Sequence, residues 1–242
     1  ALPLLVNSTI KNIGLDKELK NWAENGVSPS ALNKYRQCSL DFYYHYLAKI
    51  REKITVDEFA DNSIMGNAIH NAMDKHYPIG ILKLEHFDKI SSDIINSISE
   101  YYKENLSDNN YDEGENYLSL KVAERLTNNF LNFERSILNK GKIQLLFKEQ
   151  ELSHSLKVDG HTFHLKGNVD RVDFYNKQIR IIDYKSGKPI FKKDLTFSSW
   201  NQIVDDPKKD KLFQVLMYTY LFLKSYPHFL EEFEVIAGIF SL

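Results

Sequence analysis

The spacing of apolar residues changes after Gly141, and this change limits the folds that the chain can adopt. Before it, apolar side chains recur at helical spacing. After it, three segments are β-rich or alternate between apolar and polar side chains, as strands do. We predict helices at residues 16–25, from 28–30 onward, and at 64–76, 84–106, 115–139 and 210–224. We predict strands at residues 145–158, 161–175, 178–185 and 233–240.

Short turn and cap signals support these boundaries. Asp159-Gly160 and Asn176-Lys177 separate the first three strands, which indicates an antiparallel meander. Ser28 followed by Pro29 is typical of a helix start, with a capping hydroxyl and a proline in the first turn. Helices, three strands, a helix and a strand together predict an α/β or α+β domain with a mixed central sheet flanked by helices.

Composition excludes several classes of site. The single cysteine, Cys38, rules out an internal disulfide, a Cys-rich zinc site and a four-cysteine iron–sulfur cluster built from this chain alone. A reducing cytoplasm fits this cysteine usage. No apolar run approaches the roughly 20 residues that span a bilayer, so we expect no membrane partner. The formal net charge of −2 is unlike that of a purely electrostatic nucleic-acid binder.

Two acidic residues and a lysine stand on consecutive strands of the predicted meander. Asp170 lies between apolar Val169 and Val172, and the next strand ends with Asp183 and Lys185. Strand residues two apart face the same side, so Asp183 and Lys185 project together, and a hairpin at residues 176–177 brings Asp170 near them. Converging carboxylates favour a hard cation such as Mg²⁺ or Mn²⁺. This arrangement suits metal-assisted hydrolysis of a phosphodiester, in which Lys185 orients water or stabilises phosphate charge.

A less specific interpretation stays open for these residues. Asp170 and Asp183 could be solvated strand-edge acids paired with Arg171 and Lys185. The basic residues that follow could likewise be solvated charge or phosphate contacts. These are Lys188, Lys192, Lys193, Lys208, Lys209 and Lys211.

Five stretches in order resemble the PD-(D/E)xK nuclease superfamily, in the branch with the RecB- and AddB-type nuclease domains of bacterial helicase–nucleases. They are residues 30–44, Gly66-x-x-x-His70, Gly167-Asn168-Val169-Asp170-Arg171, Ile182-Asp183-Tyr184-Lys185-Ser186-Gly187 and Gln214-x-x-x-Tyr218. The resemblance covers roughly residues 28–240 and implies a restriction-endonuclease-like core.

The resemblance also implies a metal site. Asp170 and Asp183 would ligate Mg²⁺ or Mn²⁺, with the Tyr184 carbonyl as a further ligand and Lys185 as the catalytic lysine. His70 would be a metal ligand or a near neighbour of the metal. By itself, a histidine flanked by apolar residues on a helix would be a core or surface histidine.

Other positions carry less specific expectations. Gln214 and Tyr218 share a helix face and would hold Lys185 or the DNA strand, although many amphipathic helices carry such a pair. Either Glu149 or Glu151 would complete the site. Many AddB-type domains carry four cysteines that hold an iron–sulfur cluster. Since Cys38 has no partners here, we expect no cluster and a buried Cys38.

The resulting functional hypothesis is a Mg²⁺-dependent deoxyribonuclease, with exonuclease favoured over endonuclease action, working with a helicase or helicase-like domain in DNA repair or recombination. Residues 1–27 would be an extension and 28–242 the nuclease domain, with a helical part at 28–140 and a catalytic sheet core at 141–242. We expect a piece of a longer polypeptide, since the chain starts at Ala1 and stops in an apolar run. A catalytically inactive DNA-binding or scaffold module is the alternative, against which the intact Asp170, Asp183 and Lys185 argue. A nuclease acting on RNA or in phage or CRISPR defence also stays open.

Overall fold

A five-stranded sheet and a set of helices form the computed structural model, which describes residues 13–50, 62–106, 111–187 and 190–242. Its α-helices are α1 (Ile13–Asn25), α2 (Pro29–Gln37), α3 (Ser39–Phe42), α4 (Asn62–His76), α5 (Leu84–Asn105), α6 (Gly114–Leu138), α7 (Trp200–Asp205), α8 (Asp210–Ser225) and α9 (His228–Glu232). Its strands are β1 (Gly80–Ile81), β2 (Gln144–Val158), β3 (His161–Tyr175), β4 (Gln178–Lys185) and β5 (Glu234–Ser241). The predicted mixed sheet flanked by helices is confirmed. Residues 1–12 of the predicted extension and Lys188 lie outside the described residues.

Both predicted hairpin turns are present, and their backbone conformation explains why these residues form them. Asn176 and Lys177 have φ values of 50° and 65°, and Asp159 and Gly160 have values of 49° and 79°. Two consecutive residues with positive φ match the right-handed twist of the flanking strands. The turns therefore set which residues of β3 and β4 face one another.

The strand order in the sheet is β1-β2-β3-β4-β5. β3 and β4 pair antiparallel from Tyr175 opposite Gln178 to Arg171 opposite Ile182. Asp170 and Asp183 are the next residues on their strands beyond that last pair. β5 pairs with β4 in parallel, and the connection between them contains α7, α8 and α9. Such a parallel pair needs a long crossover rather than a tight turn.

The chain divides into two compact units, each assembled from three stretches of sequence. Unit 1 comprises Ala1–Lys53, Glu151–Gly167 and Thr196–Tyr226. Unit 2 comprises Ile54–Gln150, Asn168–Leu195 and Pro227–Leu242. The two units are defined by their compact packing and not by function. The predicted domain boundaries at residues 27 and 140 therefore stay predictions.

Unit 2 has a core in which α4, α5 and α6 contribute one face each. On α4 the buried residues Ala68, Ile69 and Ala72 follow helical spacing, as the sequence predicted. From the sheet, Ile182 and Tyr184 of β4 belong to the same cluster. The ring of Tyr184 packs in this core and so holds the end of β4 in position. Asp183 directly precedes Tyr184 and is positioned with it.

A buried ionic network lies within unit 2 on the same face as Tyr184. Arg171 is 2% exposed, and its guanidinium contacts Glu134 at 2.5 Å and Asp173 at 2.7 Å. It also donates to the hydroxyl of Tyr184 at 3.2 Å. Burial alone would lower the pKa of Arg171, but the charge of Glu134, followed by Tyr184 and Asp173, raises it well above its usual value. The arginine therefore stays charged in the core.

Unit 1 begins with the helix start that the sequence predicted. The Ser28 hydroxyl accepts a hydrogen bond from the Ala31 amide, and proline occupies the first turn of α2. The expectation for Cys38 was wrong: it is exposed. Its backbone is extended where α2 ends and α3 begins.

Unit 1 also explains the glycine of the motif that precedes Asp170. A Cβ atom at Gly167 would lie 2.8 Å from a ring carbon of Tyr218, which is closer than side chains approach one another. The close packing of this ring against the strand therefore requires glycine at position 167. The spacing of the residues in the sequence did not indicate that Tyr218 packs against Gly167.

We predict that Glu134→Gln lowers the free energy of unfolding by about 3 kcal/mol or more, because it leaves the charge of Arg171 buried without its counterion. Chemical denaturation monitored by circular dichroism measures this change. The matched control on the same helix is Glu124→Gln, which removes a pair with the half-exposed Lys121 at 2.7 Å. The control should change stability by about 0.5 kcal/mol or less. Equal effects of the two substitutions would contradict a structural role for the buried network.

Candidate metal centre

The ends of β3 and β4 meet through a bond between a side chain and the backbone. The Tyr184 amide donates a hydrogen bond to Oδ2 of Asp170 at 2.7 Å. This bond fixes one carboxylate oxygen of Asp170 beside the backbone of β4. The predicted proximity of Asp170 to the end of β4 is thus present within unit 2.

Tyr184 also contacts the third element of the site, helix α4. The distance between His70 Nε2 and the Tyr184 carbonyl oxygen is 3.1 Å. A carbonyl only accepts, so Nε2 carries the proton and donates, which leaves Nδ1 as the ring nitrogen that can ligate a metal. Metal-binding histidines commonly donate their second N–H to a carbonyl in this way, which fixes the ring orientation.

His70 Nδ1 faces two carboxylates. It lies 3.6 Å from Oδ2 of Asp170 and 3.7 Å from Oε1 of Glu149. One ligand atom from each of these three residues lies within 4.8 Å of the other two. Of the two glutamates left open by the sequence, Glu149 therefore joins this group.

The backbone of β2 explains why spacing did not identify this glutamate. Glu149 has a φ of 43°, a left-handed conformation that is uncommon for a residue other than glycine. Such a residue interrupts the alternation of side chains along a strand, as a bulge does. Its carboxylate accepts a hydrogen bond from the Asn168 side chain, which precedes Asp170 by two residues. No signal in the sequence marks this inversion, since glutamate is not a typical left-handed residue.

Asp183 and Lys185 project to the same side, as predicted, and form an ion pair. Lys185 Nζ lies 2.7 Å from Oδ2 of Asp183, and Asp183 is only 2% exposed. Asp183 is not part of the three-residue group described above. Its negative charge nevertheless contributes to a raised pKa of Asp170.

Charge and burial perturb the titration of two residues in the group. Burial, together with the charge of Asp183, raises the pKa of Asp170 to about 7, against the opposing effects of His70, the Tyr184 amide and Lys185. Burial alone would lower the pKa of His70, but Glu149 and Asp170 outweigh it and raise that pKa above its usual value. A buried acid that resists ionisation is a group whose charge a cation would stabilise.

The donor set fits a divalent metal ion. Two carboxylate oxygens and one imidazole nitrogen suit a divalent ion such as Mn²⁺, and carboxylates also suit Mg²⁺. His70, Glu149 and Asp170 would hold such an ion. Ligation by Asp183 and by the Tyr184 carbonyl stays a prediction.

A cavity of about 640 Å³ opens beside this group within unit 2. His70, Glu149 and Lys185 line one part of it, and residues of α4 and α5 line the rest. α4 contacts the residue that follows β4, since a Cβ atom at Gly66 would lie at an ordinary contact distance of 3.4 Å from the Ser186 hydroxyl. A volume of this size is in the range of pockets that bind small organic ligands.

Gln214 and Tyr218 belong to α8 in unit 1. Gln214 Nε2 donates to the Tyr218 hydroxyl at 2.8 Å, so the two side chains share a helix face as their spacing predicted. Their role beside Lys185 or a DNA strand stays a prediction.

Within the described residues, every helix is too short or too polar to span a bilayer.

Residues 26–236 match the family model of the PD-(D/E)XK nuclease superfamily. The chain is also 27% identical over 201 residues to the B subunit of an ATP-dependent helicase/deoxyribonuclease of Clostridium perfringens, an alignment that covers 74% of this chain and 17% of that protein. The protein of the same name from Clostridioides difficile is 28% identical over 203 residues, covering 71% and 16% of the two chains. The chain thus spans about a sixth of the length of these relatives.

We predict that the protein prepared in EDTA loses stability as the pH rises from 5 to 8. The pKa of Asp170 is raised to about 7, so the folded state holds this proton more tightly than the unfolded chain, and the benefit disappears between about pH 4 and 7. The raised pKa of His70 acts in the same direction at higher pH. Asp170→Asn should reduce the loss by ~1–3 kcal/mol, measured by denaturant unfolding at each pH.

Two measurements test this assignment further. The control Asp159→Asn, in the exposed β2–β3 turn, should leave the pH dependence of stability unchanged. Mn²⁺ affinity, measured by calorimetric titration, should fall by up to about tenfold per pH unit below 7, because a proton then competes with the ion. An Asp170→Asn variant with unchanged Mn²⁺ affinity would contradict the assignment.

Proposed function

The chain belongs to the PD-(D/E)XK nuclease superfamily, and on that basis we propose that it is a metal-dependent deoxyribonuclease domain. The observation that carries this proposal is the group of His70, Glu149 and Asp170 beside the Asp183–Lys185 ion pair. Three ligand groups, a second buried acid and an amine at one end of a sheet match the needs of phosphodiester hydrolysis.

Each residue has a distinct part in the proposed reaction. A divalent ion held by the three-residue group would supply Lewis acidity to the scissile phosphate. Lys185 would place its ammonium against a phosphate oxygen, where negative charge develops as the bond breaks. Asp183 holds Lys185 Nζ at 2.7 Å and so limits the positions that the ammonium can take.

Tyr184 would hold the side chains of the site in fixed positions relative to one another. Its amide orients Asp170, its carbonyl orients His70, and its hydroxyl accepts a hydrogen bond from Arg171. Placement of reacting groups within a fraction of an ångström strongly affects catalytic rate. In this proposal Gln214 and Tyr218 hold Lys185 or the DNA strand.

DNA is the proposed substrate because the relatives are named as parts of a helicase/deoxyribonuclease. By the same reasoning, we propose that the domain acts with a helicase or helicase-like partner in DNA repair or recombination, that Mg²⁺ supports its activity, and that digestion starts from DNA ends. The alternative, an inactive DNA-binding or scaffold module, would retain the fold without hydrolysis. An acid with a raised pKa among side chains that could ligate a metal supports the enzyme over this alternative.

We predict that Lys185→Ala lowers the rate of DNA cleavage at least about 100-fold, since it removes the cation that stabilises developing phosphate charge. Digestion of linear and circular DNA with Mg²⁺, Mn²⁺ or EDTA measures the rate and separates end-dependent from internal cleavage. Lys142→Ala, an exposed lysine that precedes β2, is the matched control and should cleave at the wild-type rate.

The outcomes separate the two functions. Wild-type cleavage that Lys185→Ala and Asp183→Asn both leave unchanged would remove the site assignment. Mn²⁺ binding by wild-type protein that cleaves neither DNA form would favour the scaffold alternative. Circular dichroism of each variant separates loss of the reacting group from loss of the fold.

A further inference from the structure

Helix α4 presents a row of uncharged polar side chains to the cavity beside the candidate metal centre. Asn67 and Asn71 are one helical turn apart, line the cavity and are exposed. Neither amide makes a hydrogen bond to another side chain or backbone group within the part of unit 2 that the structure describes. His70, the metal-ligand candidate, lies next to Asn71 on the same helix.

The charges around this cavity indicate which part of a nucleotide the row would contact. Among the described lining residues, Lys185 is the only lysine or arginine, and it lies at the end occupied by the metal-ligand candidates. The wall toward the other end of α4 includes Asp74. Phosphate is normally bound by lysine and arginine, and neither stands in the amide row, where the acid Asp74 is already paired with Lys148 at 3.6 Å. The amide row is therefore poorly suited to hold a second phosphate.

A nucleoside fits the same wall better. An asparagine side chain offers both donors and an acceptor, which is the pattern that base edges present. Tyr101 of α5 also lines the cavity and supplies an aromatic surface of the kind on which bases stack. The volume of about 640 Å³ is sufficient for a nucleoside in addition to the phosphate at the metal centre.

From these contacts we propose that Asn67 and Asn71 bind the base of an unpaired nucleoside adjoining the scissile phosphate, with Tyr101 as its stacking surface. The position of this subsite next to a scissile phosphate rests on the proposed nuclease function, whereas recognition of the base by Asn67, Asn71 and Tyr101 does not require cleavage. The subsite would position the strand for cleavage, and Asn67 and Asn71 would be positioning residues that take no part in the chemical step.

The test is a coupling experiment between protein and DNA. Binding of short single-stranded oligonucleotides to the full chain is measured by fluorescence anisotropy in EDTA, where no cleavage occurs. One oligonucleotide is intact, and the others each carry a single abasic site at successive positions. We expect an abasic site at one or two adjacent positions to weaken wild-type binding about three- to tenfold.

The double variant Asn67→Ala/Asn71→Ala should bind the intact oligonucleotide as weakly as wild type binds the abasic one, and should no longer distinguish them. The same variant should raise the KM for cleavage by a similar factor with kcat little changed. Asn129→Ala, an exposed asparagine on α6, is the matched control and should behave as wild type. Tyr101→Phe should retain the preference for the intact strand and Tyr101→Leu should weaken it.

Two results would overturn the subsite: no position at which wild type prefers the intact strand, or a preference that the double variant retains in full. Because binding is measured without a metal ion, these results are independent of whether the chain cleaves DNA. Base-dependent binding by a chain that does not cleave would instead contradict the proposed nuclease function and support base recognition by Asn67 and Asn71 alone.

Discussion

The backbone of Tyr184 connects the elements of the candidate metal centre, because its amide donates to Asp170 of β3 and its carbonyl accepts from His70 of α4. Tyr184 is 4% exposed, and its ring packs edge-on against Phe130 in the core of unit 2. Its backbone thus contacts the site residues, while its side chain packs in the core. A change in core packing at this residue would shift Asp170 and His70 together, so stability and site geometry are coupled in unit 2.

Local signals account for the features that the sequence predicted well. The turns at residues 159–160 and 176–177 adopt positive φ values, and Ser28 caps α2 through its own hydroxyl. Because a two-residue turn determines strand register, the proximity of Asp170 to the end of β4 also followed from the sequence. The alternation of side chains likewise placed Asp183 and Lys185 on one side.

Features that depend on distant residues were not predictable in this way. Arg171 was considered only as a surface partner for an acid, whereas it is buried against Glu134 of α6. Nothing in the spacing of these residues indicates that helix and strand meet there. Cys38 was expected to be buried because cysteine usually is, but the break between two helices leaves it exposed. The choice between Glu149 and Glu151 depended on a backbone inversion in β2.

The left-handed backbone of Glu149 creates a conflict between folding stability and the placement of a metal ligand at one residue. A residue other than glycine in this left-handed conformation costs about 1–3 kcal/mol of folding free energy, whereas glycine would adopt it freely but would remove the carboxylate. Selection for stability alone would favour glycine at position 149. Retention of glutamate therefore implies that its carboxylate provides a benefit greater than this loss of stability. A survey of natural variation at this position would therefore distinguish lineages that still use the centre from lineages that have abandoned it.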